Sequence, residues 1–356
     1  MKQKNENHPI LLTYTERNLR GGMESVAGMI KNVFPGLQVI GKESLRDSMW
    51  VKLSFPLARE PMTSLALADV IGNRQPKPPF IFTSGMHGWA LPSRKTVIPT
   101  IALMHGPDPC FADAAFKKND LGYWRMRYIY AWFERQSAMN ADMVIANSHF
   151  TQRTLKSSYG VDSRVLELPI DRATFYPSNR DQARKRIGWP LEEKCVLFVG
   201  NPTYSKGWDV FLSLAQQNPT MRFIAVLVSP PPKTESNIQV VQSLERSALA
   251  DYYRAADVLV FPSRFEGFGL VPMEALACDC PVVAAEVGVF HDFKPKGYFQ
   301  ATHARPSTFQ TQLQVALNSK DAHPSHEVHA RFDMKRYTQT LRKWVEELVQ
   351  KKEVRK

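Results

Sequence analysis

The chain has 356 residues, with 46 Lys+Arg against 34 Asp+Glu, a net charge of +12 and 44% hydrophobic residues. It is too long for one ordinary compact domain and rich enough in apolar side chains to fill two cores, which excludes a disordered, fibrous or collagen-like protein. The basic balance suits an acidic partner, whether nucleic acid, a phosphorylated small molecule or an anionic membrane surface, and does not choose among them.

Near the N-terminus the apolar run Ile10-Leu11-Leu12 is broken by Thr13 and Tyr14, too short for a signal-peptide core, so export is not expected. Nowhere do about 18 uncharged apolar residues run together, so no membrane span is expected either. Residues 10–15, 37–40, 49–53, 80–83, 97–103 and 143–146 read as strands alternating with helices or loops. After a Pro- and Arg-rich passage the pattern restarts at 195–200, 222–228, 238–241, 258–262 and 281–285. These later runs are continuously apolar, as in parallel strands covered on both faces by helices. The division is placed so that 1–176 form a first domain and 177–333 a second. In 334–356, Tyr337, Leu341, Val345 and Leu348 share one helical face, which predicts a terminal amphipathic helix with a basic tail, packing back toward the first domain. Cys110, Cys195, Cys278 and Cys280 include no C-x-x-C pair and read as thiols of a reducing cytoplasm.

The window 258–288 carries the most chemistry. Glu266 and Glu274 stand eight residues apart across a loop and a helix predicted over 271–278. Gly267 and Gly269 let the loop backbone approach a ligand, and the helix points its first amides at that loop, an arrangement that welcomes a phosphate. The two carboxylates could then hold hydroxyl groups on either side of a bound diphosphate.

With Pro262, Ser263, Glu266-Gly267-Phe268-Gly269-Leu270, Glu274-Ala275 and Pro281-Val282-Val283, this window resembles the E-x7-E signature of retaining, nucleotide-sugar-dependent glycosyltransferases of the GT-B fold, family 4 (glycosyl transferases group 1). The resemblance implies an α/β fold of two Rossmann-like domains with parallel sheets facing across a donor cleft: an acceptor-side domain, a nucleotide-sugar domain and a C-terminal helix. It implies that Glu266 orients the transferred sugar and Glu274 the nucleotide ribose, with the Gly267, Phe268, Gly269 and Leu270 backbone at the phosphate. Lys206, in a strand-loop-Lys-Gly passage at 195–215, becomes the diphosphate cation. The family's neighbouring Arg is Asn201 here, so one positive charge of the clamp is missing. Gly21 and Gly22 resemble the family's Gly-Gly-x-Glu loop beside the donor, and His105, in 101–109, the histidine that faces the transferred sugar. Two further departures are Pro169-Ile170-Asp171, which lacks the family's Asn-Gly, and Asp279 in place of a Gly.

The implied activity is transfer of a sugar from a nucleoside-diphosphate sugar to a glycan or lipid-linked acceptor, in cell-surface polysaccharide or glycolipid assembly, with no protein nucleophile, metal or other cofactor. The alternative is a non-catalytic homologue that binds a nucleotide or glycan as a partner subunit. No D-x-D pair offers ligands for a metal-bound diphosphate, and there is no G-x-x-x-x-G-K-[ST]. Basic residues are dispersed and form no nucleic-acid module, so nucleic acid is not expected as a partner. The segment 116–136, where Lys117, Lys118, Arg125 and Arg127 accompany Tyr123, Trp124, Tyr128, Tyr130 and Trp132, reads as a core-packed helix, as the lining of a soluble-acceptor cleft or as a surface for an anionic membrane. The expected location is the cytoplasm, peripheral on the membrane's cytoplasmic face in the last case.

Overall fold

The computed structural model describes residues 8–15, 22–45, 59–91, 98–242, 244–319 and 323–354. Two compact units emerge, residues 168–334 and residues 1–167 together with 335–356. The division thus falls after Glu167, ahead of the boundary read from composition at 176.

In the first unit, β1 (Ile10–Leu12), β2 (Gln38–Ile40), β3 (Ile81–Ser84), β4 (Thr100–Met104), β5 (Met143–Ala146) and β6 (Arg164–Val165) form one sheet in the order β2-β1-β3-β4-β5-β6, with every neighbouring pair parallel. The strand expected at 49–53 lies outside the described residues. Strands β1, β3, β4 and β5 are buried along their whole length, which is why their sequences are unbroken apolar or β-branched runs. The intervening helices are α1 (Gly22–Val33), α2 (Arg59–Asn73), α3 (Asp108–Ala115), α4 (Ala131–Asn140) and α5 (His149–Tyr159). A single turn, Leu121–Trp124, and a π-helical stretch, Arg125–Tyr130, run directly into α4.

The second unit repeats the plan with β7 (Cys195–Gly200), β8 (Arg222–Leu227), β9 (Ile238–Gln242), β10 (Val258–Phe261), β11 (Val282–Ala285) and β12 (Tyr298–Ala301), ordered β12-β11-β10-β7-β8-β9 and again all parallel. Its helices are α6 (Arg180–Ile187), α7 (Trp208–Gln217), α8 (Arg246–Ala255), α9 (Leu270–Ala277), α10 (Pro306–Asn318) and α11 (Ser325–Arg331). Strands β6 and β12 carry no apolar run of their own and were not expected.

Helix α12 (Met334–Glu353) buries Tyr337, Leu341 and Val345, the face its spacing predicts. It belongs almost wholly to the first unit: Arg342 donates to the Val33 carbonyl at 2.9 Å, and Lys352 pairs with Asp142 at 2.9 Å. No helix among the described residues is long and apolar enough to cross a membrane. All four cysteines are free thiols; three are buried and Cys110 is half-buried.

Two departures from the expected motifs have local explanations. Asp279 holds a left-handed φ of 58°, and its carboxylate accepts from the Ser325 backbone N–H at 2.9 Å and meets His323 Nδ1 at 3.1 Å. Asp tolerates this conformation better than most residues, and the bonds tie down the start of α11. Asp171 closes its own turn, accepting from the Ala173 N–H at 2.9 Å and the Thr174 hydroxyl at 2.6 Å.

Candidate functional site

In the second sheet the chain leaves β7 toward β8 on one side and returns through β10 on the other, so the order reverses between β7 and β10. Loops at the carboxyl ends of such strands diverge and leave a crevice, the usual ligand position in an open α/β sheet. Lys206 follows β7, and Glu266 follows β10.

The fold joins these two residues, which are 60 positions apart. Lys206 Nζ lies 2.6 Å from Glu266 Oε1, and the fully buried Ser263 donates its hydroxyl to the same oxygen at 2.7 Å. Both bonds fall on Oε1. The close approach of the two loops depends on Gly207, whose φ is +74° and where an added Cβ would sit 2.1 Å from the Pro262 carbonyl oxygen. Arg264, the other cation in these loops, is already committed: it makes a two-pronged pair with Asp209 at 2.7 and 2.8 Å and lies 3.6 Å over the Tyr204 ring. Asn201 is exposed.

Gly269 caps α9 with φ +99°, a conformation in which a side chain is strained, and leaves the Leu270 and Val271 amides at the loop without intrahelical partners. Phe268 is buried with its ring 5.3 Å from Phe332, so what it can offer a ligand is backbone. Glu274, in the next turn, is 3% exposed. Its Oε1 accepts from Arg246 Nη2 at 2.8 Å and its Oε2 from the Tyr253 hydroxyl at 3.2 Å. Burial raises its pKa, and Arg246 is the strongest influence pulling it back. Arg246, on α8, keeps nearly half its side chain in solvent and packs over Phe175.

In the first unit, His105 follows β4. Burial lowers its pKa to about 4, so the imidazole is neutral near pH 7, and its Nε2 meets no protein hydrogen-bond partner. Three residues on, the Asp108 N–H at the start of α3 donates to Glu134 Oε2 at 2.9 Å, and the Tyr159 hydroxyl donates to the same oxygen. Burial lifts the Glu134 pKa to about 7, and burial together with Glu134 and Glu60 raises that of Asp108. This carboxylate hub ties α3, α4 and α5 together beneath the His105 loop. His87 hydrogen-bonds the Ser84 carbonyl through Nδ1 at 2.7 Å and is also kept neutral by burial. Gly22 opens α1, whereas Gly21 lies outside the described residues.

Sequence reasoning missed Arg246, Tyr253, Glu134 and Tyr159. Glu134 had one faint signal, a lone acid at helical spacing from Tyr123, Tyr130 and Ser137, all of which turn out to be buried. Arg246 had none. Among the described residues, no group of three or more His, Cys, Asp or Glu side chains is arranged to hold a metal ion.

A family model described as glycosyl transferases group 1 matches residues 193–317, and one described as glycosyltransferase family 4 matches residues 50–173. A D-inositol 3-phosphate glycosyltransferase of Kineococcus radiotolerans is 35% identical over 232 residues, which make up 58% of this chain and 52% of that protein. The chain spans about half the length of the curated relatives it matches. Among solved structures, sucrose-phosphate synthase from Thermosynechococcus elongatus superposes with a TM-score of 0.79 at 20% identity, covering 96% of this chain and 99% of that one. Anabaena HepE in complex with UDP and glucose gives 0.69 at 15% identity, covering 96% and 100%. At these identities the two structures show a shared fold and nothing finer.

Proposed function

This chain belongs to the family 4 glycosyltransferases, group 1, of the GT-B fold, and from that membership we propose that it transfers a sugar from a nucleoside-diphosphate sugar to a glycan or lipid-linked acceptor with retention at the anomeric carbon. The observation that carries the reading is the Lys206–Ser263–Glu266 cluster at the reversal of strand order, next to the open amides of α9.

Breaking a sugar–phosphate bond builds positive charge on the sugar ring and negative charge on the departing diphosphate, so preorganised charge at that phosphate is the largest lever available. Lys206 and Glu266 neutralise each other at 2.6 Å. A donor would draw the Lys206 ammonium toward its diphosphate. Ser263 would keep Glu266 in place, with Oε2 left to a sugar hydroxyl. Glu274 would accept from the ribose. The acceptor oxygen bonds to the anomeric carbon as the bond to the diphosphate breaks, and the acceptor proton leaves on the diphosphate. Lys206 and the α9 amides would take the place of a metal, so turnover is expected to persist in EDTA.

The test is release of nucleoside diphosphate from a panel of sugar nucleotides, with glycans, glycolipids and a phosphorylated cyclitol as acceptors, the last prompted by the names of the curated relatives. A donor at ~100 times its dissociation constant should stabilise the fold by roughly 2.7 kcal/mol, so thermal shift identifies the donor first. Release that depends on Lys206 supports the reading. A donor that binds and never turns over with any acceptor points instead to the non-catalytic homologue, which Asn201 in place of the family's Arg favours.

A further inference from the structure

Among the described residues, eleven large hydrophobic side chains are exposed, and six of them, Leu121, Trp124, Tyr128, Ile129, Trp132 and Met139, fall within one short stretch of the first unit. That stretch already has a core-facing side: Tyr123, Tyr130, Ala131, Glu134, Ser137 and Ala138 are buried. Leu121, Trp124, Tyr128, Trp132 and Met139 recur at spacings of three, four, four and seven residues, a second stripe along the outward side. The aromatic sequence therefore splits between core and solvent.

The outward stripe is fixed in shape. Trp124 and Tyr128 stack with ring centroids 5.4 Å apart and planes 14° apart, and Trp124 Nε1 donates to the Lys118 carbonyl at 2.9 Å. Arg127 is folded back, paired with Asp113 at 2.7 Å. Lys117 and Lys118, directly ahead of the stripe, are exposed.

We propose that this outward face is a docking surface for an anionic lipid bilayer. Trp and Tyr place an apolar body in the acyl boundary while their polar edge stays with the headgroups, and neighbouring lysines add attraction to anionic lipid. The chain's charge of +12 favours that occupant over a second copy of itself, which it would repel.

Co-sedimentation of the full chain with vesicles tests it, comparing pure phosphatidylcholine with an equal mixture of phosphatidylcholine and phosphatidylglycerol at low and high salt. Binding to the anionic vesicles, weakened by salt, is expected. The lysine variant Lys117→Gln/Lys118→Gln should lose about fivefold in partition per lysine, and the aromatic variant Trp124→Ala/Trp132→Ala about tenfold or more. Circular dichroism and melting curves check that both variants are folded. Should the aromatic variant not fold, the lysine variant, altered only at exposed positions, still decides. Four results overturn the proposal: no binding to anionic vesicles, equal binding to neutral ones, partition unchanged in the folded variants, or a concentration-dependent dimer that the aromatic variant abolishes without any vesicle binding.

Discussion

In the second unit three carboxylates, buried or half-buried, are met by cations. Glu266 has Lys206, Glu274 has Arg246, and Asp257 has Arg184, which is 1% exposed. In the first unit Glu134 is buried with Asp108 half-buried beside it, its carboxylate held by the Tyr159 hydroxyl and the Asp108 backbone amide, and burial raises the pKa of both. The same parallel-sheet plan thus sets cations beside the carboxylates of one unit and a hydroxyl and an amide beside Glu134 in the other, while burial raises Glu274 as it raises Glu134. Paired charges can be redirected to a charged ligand, whereas a raised carboxylate makes its unit sensitive to pH.

The largest effect should come from cutting a pair inside the second unit. The Arg184 guanidinium donates to Asp257 and to the carbonyls of Ala255, Pro190, Leu191 and Glu193. Arg184→Ala should therefore destabilise this unit by about 3–5 kcal/mol, because it strands four carbonyl acceptors and removes the buried cation from Asp257, which keeps Arg180 at 2.7 Å and the Cys195 N–H at 2.7 Å. Chemical denaturation measures it, and a loss under 1 kcal/mol would mean that the pair is not a structural clamp.

Next is the pair at the crevice. Lys206→Ala should lower turnover by about 10²-fold or more, roughly 2.7 kcal/mol, with the melting temperature little changed. Near-wild-type turnover in the folded variant would sink the assignment of this lysine to the diphosphate. Asn201→Arg sharpens the point: a rise in turnover means that the missing cation limits the native enzyme.

The first unit is probed through pH. Glu134 has a folded pKa of about 7, above its ordinary 4.5, so between these values the unfolded chain releases a proton that the folded one keeps. Its contribution to stability is full below about pH 4.5 and is lost as pH rises toward 7, on the order of 3 kcal/mol in all. His87 and His105 act in the opposite sense: both have folded values near 4, so their contribution is lost as pH falls below 6.5. Glu134→Gln isolates the first effect. The difference in melting temperature between wild type and variant should grow steadily from pH 4.5 to 7 in favour of the variant. A constant difference would show that the Glu134 carboxyl is not titrating there.

The smallest effect should lie at Glu274. Removing the Arg246 charge takes away the main influence holding this buried carboxyl ionised. Arg246→Gln should therefore weaken nucleoside-diphosphate binding about tenfold near pH 7, recovering as pH rises and Glu274 ionises. Wild type should be flatter over the same range. Calorimetry showing an equal loss at every pH would assign Arg246 a role in shape rather than charge.

The buried strands were legible because each carries a continuous apolar run that needs no partner to be recognised. Strands β6 and β12 were not, since Arg164-Val165 and Tyr298-Phe299-Gln300-Ala301 become strands only beside β5 and β11. The E-x7-E window was legible because its glycines, helix start and carboxylates are close in sequence. The outward stripe of 121–139 was half legible: its aromatics could be counted, but which of them point to solvent could not.

What the sequence by itself determined was local: apolar periods that make strands and the amphipathic α12, a glycine-broken turn into α9, and Lys206, Glu266, Glu274 and His105 as candidates from their motifs. What only the tertiary structure decided was which of these groups meet. Strand order sets the loops after β7 and β10 side by side, so that Lys206 and Glu266 share an oxygen's distance across 60 residues. The packing of α8 against α9 gives Glu274 its arginine, and α3, α4 and α5 together bury Glu134. The physical reason is that charge and desolvation act through space, over a few ångströms, while the sequence orders residues along the chain.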